Sequence, residues 1–291
     1  MEARGELKRR HHAEIAAIGQ PVAYVPAAPM LNPLLRPARR AADFVDLYVS
    51  WLTSSLRDVA PRAHGRLLDV GCGDRRFEPL FLPHIASYTG VEHESVFAST
   101  EASNRANKPD LFYDGKRLPF DAGSFDTVLC AEVLEHTPDP EALVGEMGRV
   151  LRPGGTLILT APFAFRLHEE PYDYFRFTPH GLASMMTRAG LQTRDTRAFG
   201  GVFGVVGHKL NSYLAFRVAR LQGIGRLLGK MGHEGARGER VRVWTLPAVL
   251  PAMFGVSGAA RMLDRVAPDP TEALGYLVVA ERVSATGAAN T

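Results

Sequence analysis

Apolar and polar positions alternate along this chain in two rhythms. Short apolar runs ending in an acid or bounded by glycines read as strands: Leu67-Leu68 running into Asp69, Tyr88–Glu92, Gln192–Ala198 and Tyr276–Ala280. Between them lie amphipathic stretches with helical spacing. Residues 41–60 place Phe44, Val45, Tyr48, Leu52, Leu56 and Val59 near one face. Asp139 to Leu151 does the same with Leu143, Met147, Val150 and Leu151. A third helix begins at Thr178, a good N-cap, with Pro179 at the first helical position, and stops at Gly190. Residues 1–40, rich in Ala, Pro and Arg, show little periodicity and read as a flexible arm. Alternation of strands and helices predicts an α/β fold.

The stretch Leu67-Leu-Asp-Val-Gly-Cys-Gly-Asp74 carries the most information. Gly71 and Gly73 follow a buried strand directly, so the backbone turns tightly with no Cβ between it and a ligand. A dinucleotide fingerprint would need a third glycine where Arg76 stands, and no P-loop run is present. A nucleoside ligand without a pyrophosphate fits better. Glu92 ends the next strand about 20 residues on, the spacing at which a carboxylate accepts both ribose hydroxyls.

These residues resemble motif I of the class I S-adenosylmethionine-dependent methyltransferases, with Arg75 where the last glycine of that motif usually sits. The resemblance continues through Asp114-Gly-Lys-Arg-Leu-Pro-Phe-Asp-Ala-Gly-Ser-Phe-Asp126-Thr-Val-Leu-Cys-Ala-Glu-Val-Leu-Glu-His136, which is similar to the signature of the small-molecule members. Arg149-Val-Leu-Arg-Pro-Gly-Gly-Thr-Leu-Ile-Leu-Thr160 looks like that family's helix, Pro-Gly-Gly turn and fifth strand. It implies a Rossmann-like, seven-stranded, mostly parallel sheet with helices on both faces and an antiparallel last strand. It also implies S-adenosyl-L-methionine as cofactor. The expected cofactor residues are Asp69, Gly71, Cys72 and Gly73 at the turn, Glu92 on the ribose, and Asp114 with Gly115 near the adenine. Cys130 is expected beneath the adenosine and Glu132 toward the methionine ammonium.

Composition changes little of this. With 46% hydrophobic and 22% charged residues, the 291-residue chain suits one large domain with additions. Two cysteines without a C-x-x-C pair argue against a disulfide scaffold or a structural zinc, so no metal is expected and a cytoplasmic setting is. A net charge of +3 does not point to DNA. The charge is unevenly placed, however. Residues 200–265 hold ten Lys/Arg and three acids, +7 in all, together with an uncharged run from Val243 to Ala260 in which Pro247 and Pro251 are expected to interrupt a helix. The segment reads as a helical cap over the substrate side, as a basic apolar surface for the inner face of an anionic membrane, or as both. The expected organisation is an arm over 1–40, a cofactor-binding core over 41–199, an insertion over 200–270 and the last strand within 271–285.

Methyl transfer from a sulfonium needs alignment and desolvation, and a hydroxyl nucleophile also needs a base. The candidates follow the fifth strand in His168-Glu-Glu-Pro-Tyr-Asp-Tyr-Phe-Arg-Phe-Thr178. His168 is the leading base, titrating in the ordinary histidine range of roughly pH 6–7, with His136 and Asp173 next. Arg176 pairs with Asp173 to order the loop or anchors an acidic substrate. The loop's mixture of acids, tyrosines and histidine suits a sugar-like or otherwise hydroxylated small molecule. Two other readings stay open. Arg75 in place of glycine allows a non-catalytic cofactor-binding scaffold. The basic insertion allows an RNA methyltransferase, although Ala131-Glu-Val-Leu-Glu stands where an Asn-Pro-Pro-[Tyr/Phe] run would be needed.

Overall fold

A computed structural model describes residues 36–94, 109–220, 242–269 and 271–283. The chain divides into Met1–Arg36 and Pro37–Thr291, and the second unit carries the fold. The arm expected over residues 1–40 therefore lies mostly outside the described residues, and its last part is helical. Helix α1 spans Arg36–Val45. Its alanines and arginines are strong helix formers, which the absence of an apolar stripe concealed.

The helix expected over 41–60 is two. Asp46 ends α1 and caps α2 (Leu47–Val59) by accepting from the Val49 N–H at 3.3 Å. Seven strands follow: β1 Arg66–Val70, β2 Ser87–His93, β3 Leu111–Tyr113, β4 Phe125–Ala131, β5 Leu151–Pro162, β6 Leu191–Phe199 and β7 Gly275–Arg282. The helices among them are α3 (Glu78–Phe81), α4 (Pro140–Val150), α5 (Pro179–Arg188), α6 (Val202–Tyr213) and α7 (Leu246–Val266). The sheet order is β3-β2-β1-β4-β5-β7-β6. The pairs from β3 through β5 are parallel, and β7 runs antiparallel to both β5 and β6.

Both faces of the sheet are covered, and consecutive strand residues show it. Leu68, Val128, Leu157 and Val278 pack on one side with Val144 and Met147 of α4 and Leu182 and Met186 of α5. Their neighbours Leu67, Leu129, Ile158 and Leu277 pack on the other with Tyr48, Leu52 and Leu56 of α2. Side chains alternate along a strand, so a strand buried on both faces must be apolar at every position.

The connection from β6 to β7 carries α6, a π turn at Leu214–Val218, and α7. Gly207 lets α6 and α7 cross closely, since a Cβ there would lie 2.8 Å from that of Ala260. Gly201 offers α6 no side-chain cap, and Asp264 of α7 replaces it. Its carboxylate accepts from the N–H groups of Gly201, Phe203 and Gly204 at 2.9–3.0 Å. The expectation that proline interrupts this segment is corrected: α7 runs through Pro251. Pro247 sits in its first turn, and both prolines are exposed, so the carbonyl freed by the missing N–H faces solvent. One helical stretch among the described residues, Val243–Val266, is long and apolar enough to cross a membrane by length and composition, and only 28% of its apolar window is buried.

Candidate active site

The chemistry-bearing residues gather at the C-terminal edge of the parallel strands, where open α/β sheets hold ligands. Beyond β1, Gly71 (φ 74°) and Gly73 (φ 53°) take left-handed conformations. The turn hangs on the end of β2. The Val91 carbonyl accepts from the Gly71 and Cys72 N–H groups at 2.8 and 3.2 Å. Glu92 accepts from the N–H of Gly73 and from that of His93, both at 2.8 Å. A Cβ on Gly71 would strike Val133 at 2.4 Å, so the turn also packs against the loop after β4. Burial raises the Glu92 carboxyl above the usual carboxylate range.

Arg75, which departs from the family pattern, keeps the backbone a glycine would have, with φ 58°. Its guanidinium bonds Glu78 at 3.0 and 3.1 Å and Asp110 at 3.0 Å, and lies over the Tyr88 ring at 4.6 Å. Those contacts offset a strain of order 1–3 kcal/mol. The departure therefore leaves the turn's shape in place, which removes the main ground for a scaffold without chemistry.

Asp69 is buried and does not cap the turn: it accepts from the Tyr88 hydroxyl. Desolvation pushes its carboxyl up to about 7. Cys72 packs against Gly90, where a Cβ would come 2.7 Å from its sulfur, and burial raises its thiol. Cys130, fully buried in β4, is likewise raised by burial. Neither is set up as a nucleophile. Asp114 is exposed and accepts from the Lys116 and Arg117 N–H groups at 2.9 and 3.3 Å, forming the turn that Asp-Gly sequences favour. Gly115 holds that turn against the His93 ring, 2.6 Å from where its Cβ would be, and so brings it beside the end of β2.

A second cluster follows β4 and β5. Glu132 adopts φ 60°, rare for a residue with a side chain, and accepts from the Tyr48 hydroxyl. Burial raises its carboxyl to about 7. His136 Nδ1 donates to the Tyr172 carbonyl at 2.9 Å. His168 Nδ1 donates to Asp173 at 3.1 Å, and Asp173 is gripped by two Arg176 nitrogens at 2.6 and 2.8 Å. The two Nε2 atoms face each other at 3.1 Å. Arg176 also donates to the Arg166 and Phe175 carbonyls, at 3.0 and 2.7 Å, so it orders the loop. Desolvation, reinforced by His136, lowers His168 to about 4 rather than the expected 6–7. Arg176 and the His168 contacts hold Asp173 down to about 2 against its own burial.

The structure thus joins His136, His168 and Asp173 in one network and Gly71, Gly73 and Glu92 in another. The two adjoin through the loop after β4, where Val133, three residues before His136, packs on Gly71. Tyr48 and Glu135 were not foreseen. Tyr48 lies within an apolar helical stripe that reads as core. Glu135 is one of several acids in a stretch whose local pattern marks none as buried.

Residues 68–159 match a family model described as a methyltransferase domain. The ubiquinone biosynthesis O-methyltransferase of Psychrobacter arcticus is 31% identical over 156 residues, 45% of this chain and 60% of that one. Its counterpart in Xanthomonas euvesicatoria is 40% identical over 161 residues, 46% and 65% of the two chains. The 27-O-demethylrifamycin SV methyltransferase of Amycolatopsis mediterranei is 37% identical over 118 residues, 37% and 43%. A solved S-adenosylmethionine-dependent methyltransferase from Mesorhizobium loti covers 79% of this chain and 96% of its own at 15% identity, with a TM-score of 0.46. Residues 68–159 are thus similar to a methyltransferase domain, as the motifs lead one to expect. The chain spans 60% of the length of the first of these relatives.

Proposed function

We propose that this protein transfers a methyl group from S-adenosylmethionine to an oxygen of a small hydroxylated acceptor. The observation that carries the reading is the shared strand edge. There the glycine turn and Glu92 adjoin the His136–His168–Asp173 network. Glu92 has each oxygen on one backbone N–H, leaving lone pairs for the ribose hydroxyls. The glycine turn lets the backbone approach the nucleoside. Asp69, Cys72, Cys130, Glu132 and the Asp114-Gly115 turn complete the cofactor side. When bound, the cofactor supplies an activated methyl on a good leaving group.

The protein's task is then to place the acceptor oxygen in line with that methyl and take up its proton. The His136–His168 pair, oriented by Asp173 and Tyr172, is the polar centre for this. The names of two relatives, a ubiquinone biosynthesis O-methyltransferase and a 27-O-demethylrifamycin SV methyltransferase, support an oxygen acceptor. Two measurements test the reading. Incubation with S-adenosylmethionine and a panel of sugars and phenols should yield products heavier by one methylene. His168→Ala should lower kcat by about 10²–10⁴-fold while cofactor affinity stays constant. Equal turnover by that variant would remove the network from the chemistry.

For the insertion we propose a peripheral membrane setting, supported by its exposed apolar and basic residues. Trp244 is 79% exposed, and Val206, Tyr213, Val243, Met262 and Val266 are also largely exposed on α6, α7 and the short 3-10 turn preceding α7. Lys209, Arg217 and Arg265 are exposed in the same insertion. Apolar groups among cations suit an anionic lipid surface.

A further inference from the structure

Glu135 is fully buried, and neither of its oxygens has a hydrogen-bond partner on any other described residue. Such a charge is costly unless something cationic meets it. Its surroundings point to what that is. Both facing imidazoles have committed Nδ1 as a donor, His136 to a carbonyl and His168 to a carboxylate, neither of which can donate in return. In its neutral form, a ring with Nδ1 committed as donor turns a lone pair outward from Nε2. Those lone pairs meet at 3.1 Å, and Glu135 Oε1 lies 3.7 Å from one nitrogen and 4.0 Å from the other.

Burial and the nearby Glu132 raise the Glu135 carboxyl, so in the metal-free protein protons relieve this convergence of lone pairs; a cation seated between the three deprotonated groups would relieve it as well. A triangle with edges of 3.1, 3.7 and 4.0 Å has its centre about 2.1 Å from every corner, within the bond length of about 2.0–2.2 Å from Zn²⁺ to imidazole nitrogen or carboxylate oxygen. The outer arrangement fits too. Asp173, held by Arg176, orients His168, and the Tyr172 carbonyl orients His136. Such outer partners fix the tautomer that leaves Nε2 free to ligate. Glu169, half-exposed, has an oxygen 3.9 Å from His136 Nε2 and marks the open side.

We propose that Glu135, His136 and His168 form a binding site for one divalent transition-metal cation, zinc being the best match to two imidazoles and a carboxylate. Three protein ligands leave at least one coordination position for water or for an oxygen of the acceptor. In this state the two imidazoles hold the metal. The proposal shares its residues with the acceptor site described above, but metal binding requires neither cofactor nor methyl transfer, so each can fail alone. No linear motif announces it, because residues 135–136 and residue 168 lie on different loops. This is why the sequence predicts no metal.

The test uses the full chain, stripped with chelator and dialysed. Titration with ZnCl₂ in a calorimeter should show one tight equivalent, and Co²⁺ should bind at the same stoichiometry with visible absorption typical of nitrogen–oxygen coordination. Glu135→Gln, nearly isosteric, should lose that equivalent while keeping the far-ultraviolet circular dichroism of the parent. Asp173→Asn should weaken it by about 10–100-fold through the outer shell. Zinc should raise the melting temperature of the parent and leave that of Glu135→Gln unmoved. Absence of a saturable equivalent for both metals would overturn the proposal. So would an equivalent that survives in Glu135→Gln and His168→Ala alike, since the chain's ten histidines could then supply it elsewhere.

Discussion

Replacing Asp69 by asparagine should stabilise the protein at alkaline pH and destabilise it at acid pH. The carboxyl is buried, accepts one bond from Tyr88, and is raised from 3.8 to about 7, chiefly by desolvation. A raised acid makes the folded state hold a proton that the unfolded state releases. Stability therefore falls as pH climbs from about 4 to about 7 and is level beyond. At about 1.4 kcal/mol per pH unit, the interval amounts to about 4 kcal/mol, a large part of a typical total of about 5–15. Asparagine keeps an oxygen for the Tyr88 hydroxyl and carries no charge. It adds an amide NH₂ that must find a partner, at a cost of about 1–3 kcal/mol. The net expectation is a gain of about 1–3 kcal/mol at pH 8 that is gone or reversed by about pH 4.5. Urea unfolding of both proteins at pH 4.5, 6 and 8 measures it. A difference between the two that stays constant across these pH values would refute the claim that Asp69 is desolvated.

Two other predictions bear on the insertion. Asp264→Ala removes the carboxylate that accepts three N–H groups at the start of α6, and should cost about 1–3 kcal/mol in denaturant unfolding; a loss below about 0.5 kcal/mol would mean that water replaces it. Sedimentation with acidic liposomes should fall as salt rises, since exposed charges are screened over about 8 Å at physiological ionic strength. Trp244→Ser should reduce it further, and pelleting indifferent to lipid charge and salt would leave the insertion as a cap alone.

The parts legible in sequence are those whose cause is local. Asp69, Gly71, Gly73 and Glu92 sit at strand ends a short distance apart, and the turn between them needs glycine φ values that only certain residues tolerate. The helix start at Asp139, the cap at Thr178 and the stop at Gly190 are equally local. What escaped notice depends on partners far along the chain. Tyr48 reaches Glu132 from 84 residues away. The cap of α6 comes from Asp264, about 60 residues on. Glu135 differs from a surface acid only because the loop after β5 folds over it. Arg75 shows the reverse: a motif position filled by an unexpected residue kept its backbone shape because Glu78, Asp110 and Tyr88 hold the side chain.

The central claim is that the edge formed by the glycine turn and Glu92 holds S-adenosylmethionine. Calorimetric titration of the full chain with that cofactor, beside Glu92→Ala, tests it most directly. The account predicts one saturable site, no comparable binding of NAD, and an affinity lower by about 1–3 kcal/mol, or roughly 5- to 150-fold, in the variant. Binding of the same strength to both proteins would contradict it, as would no binding to the parent.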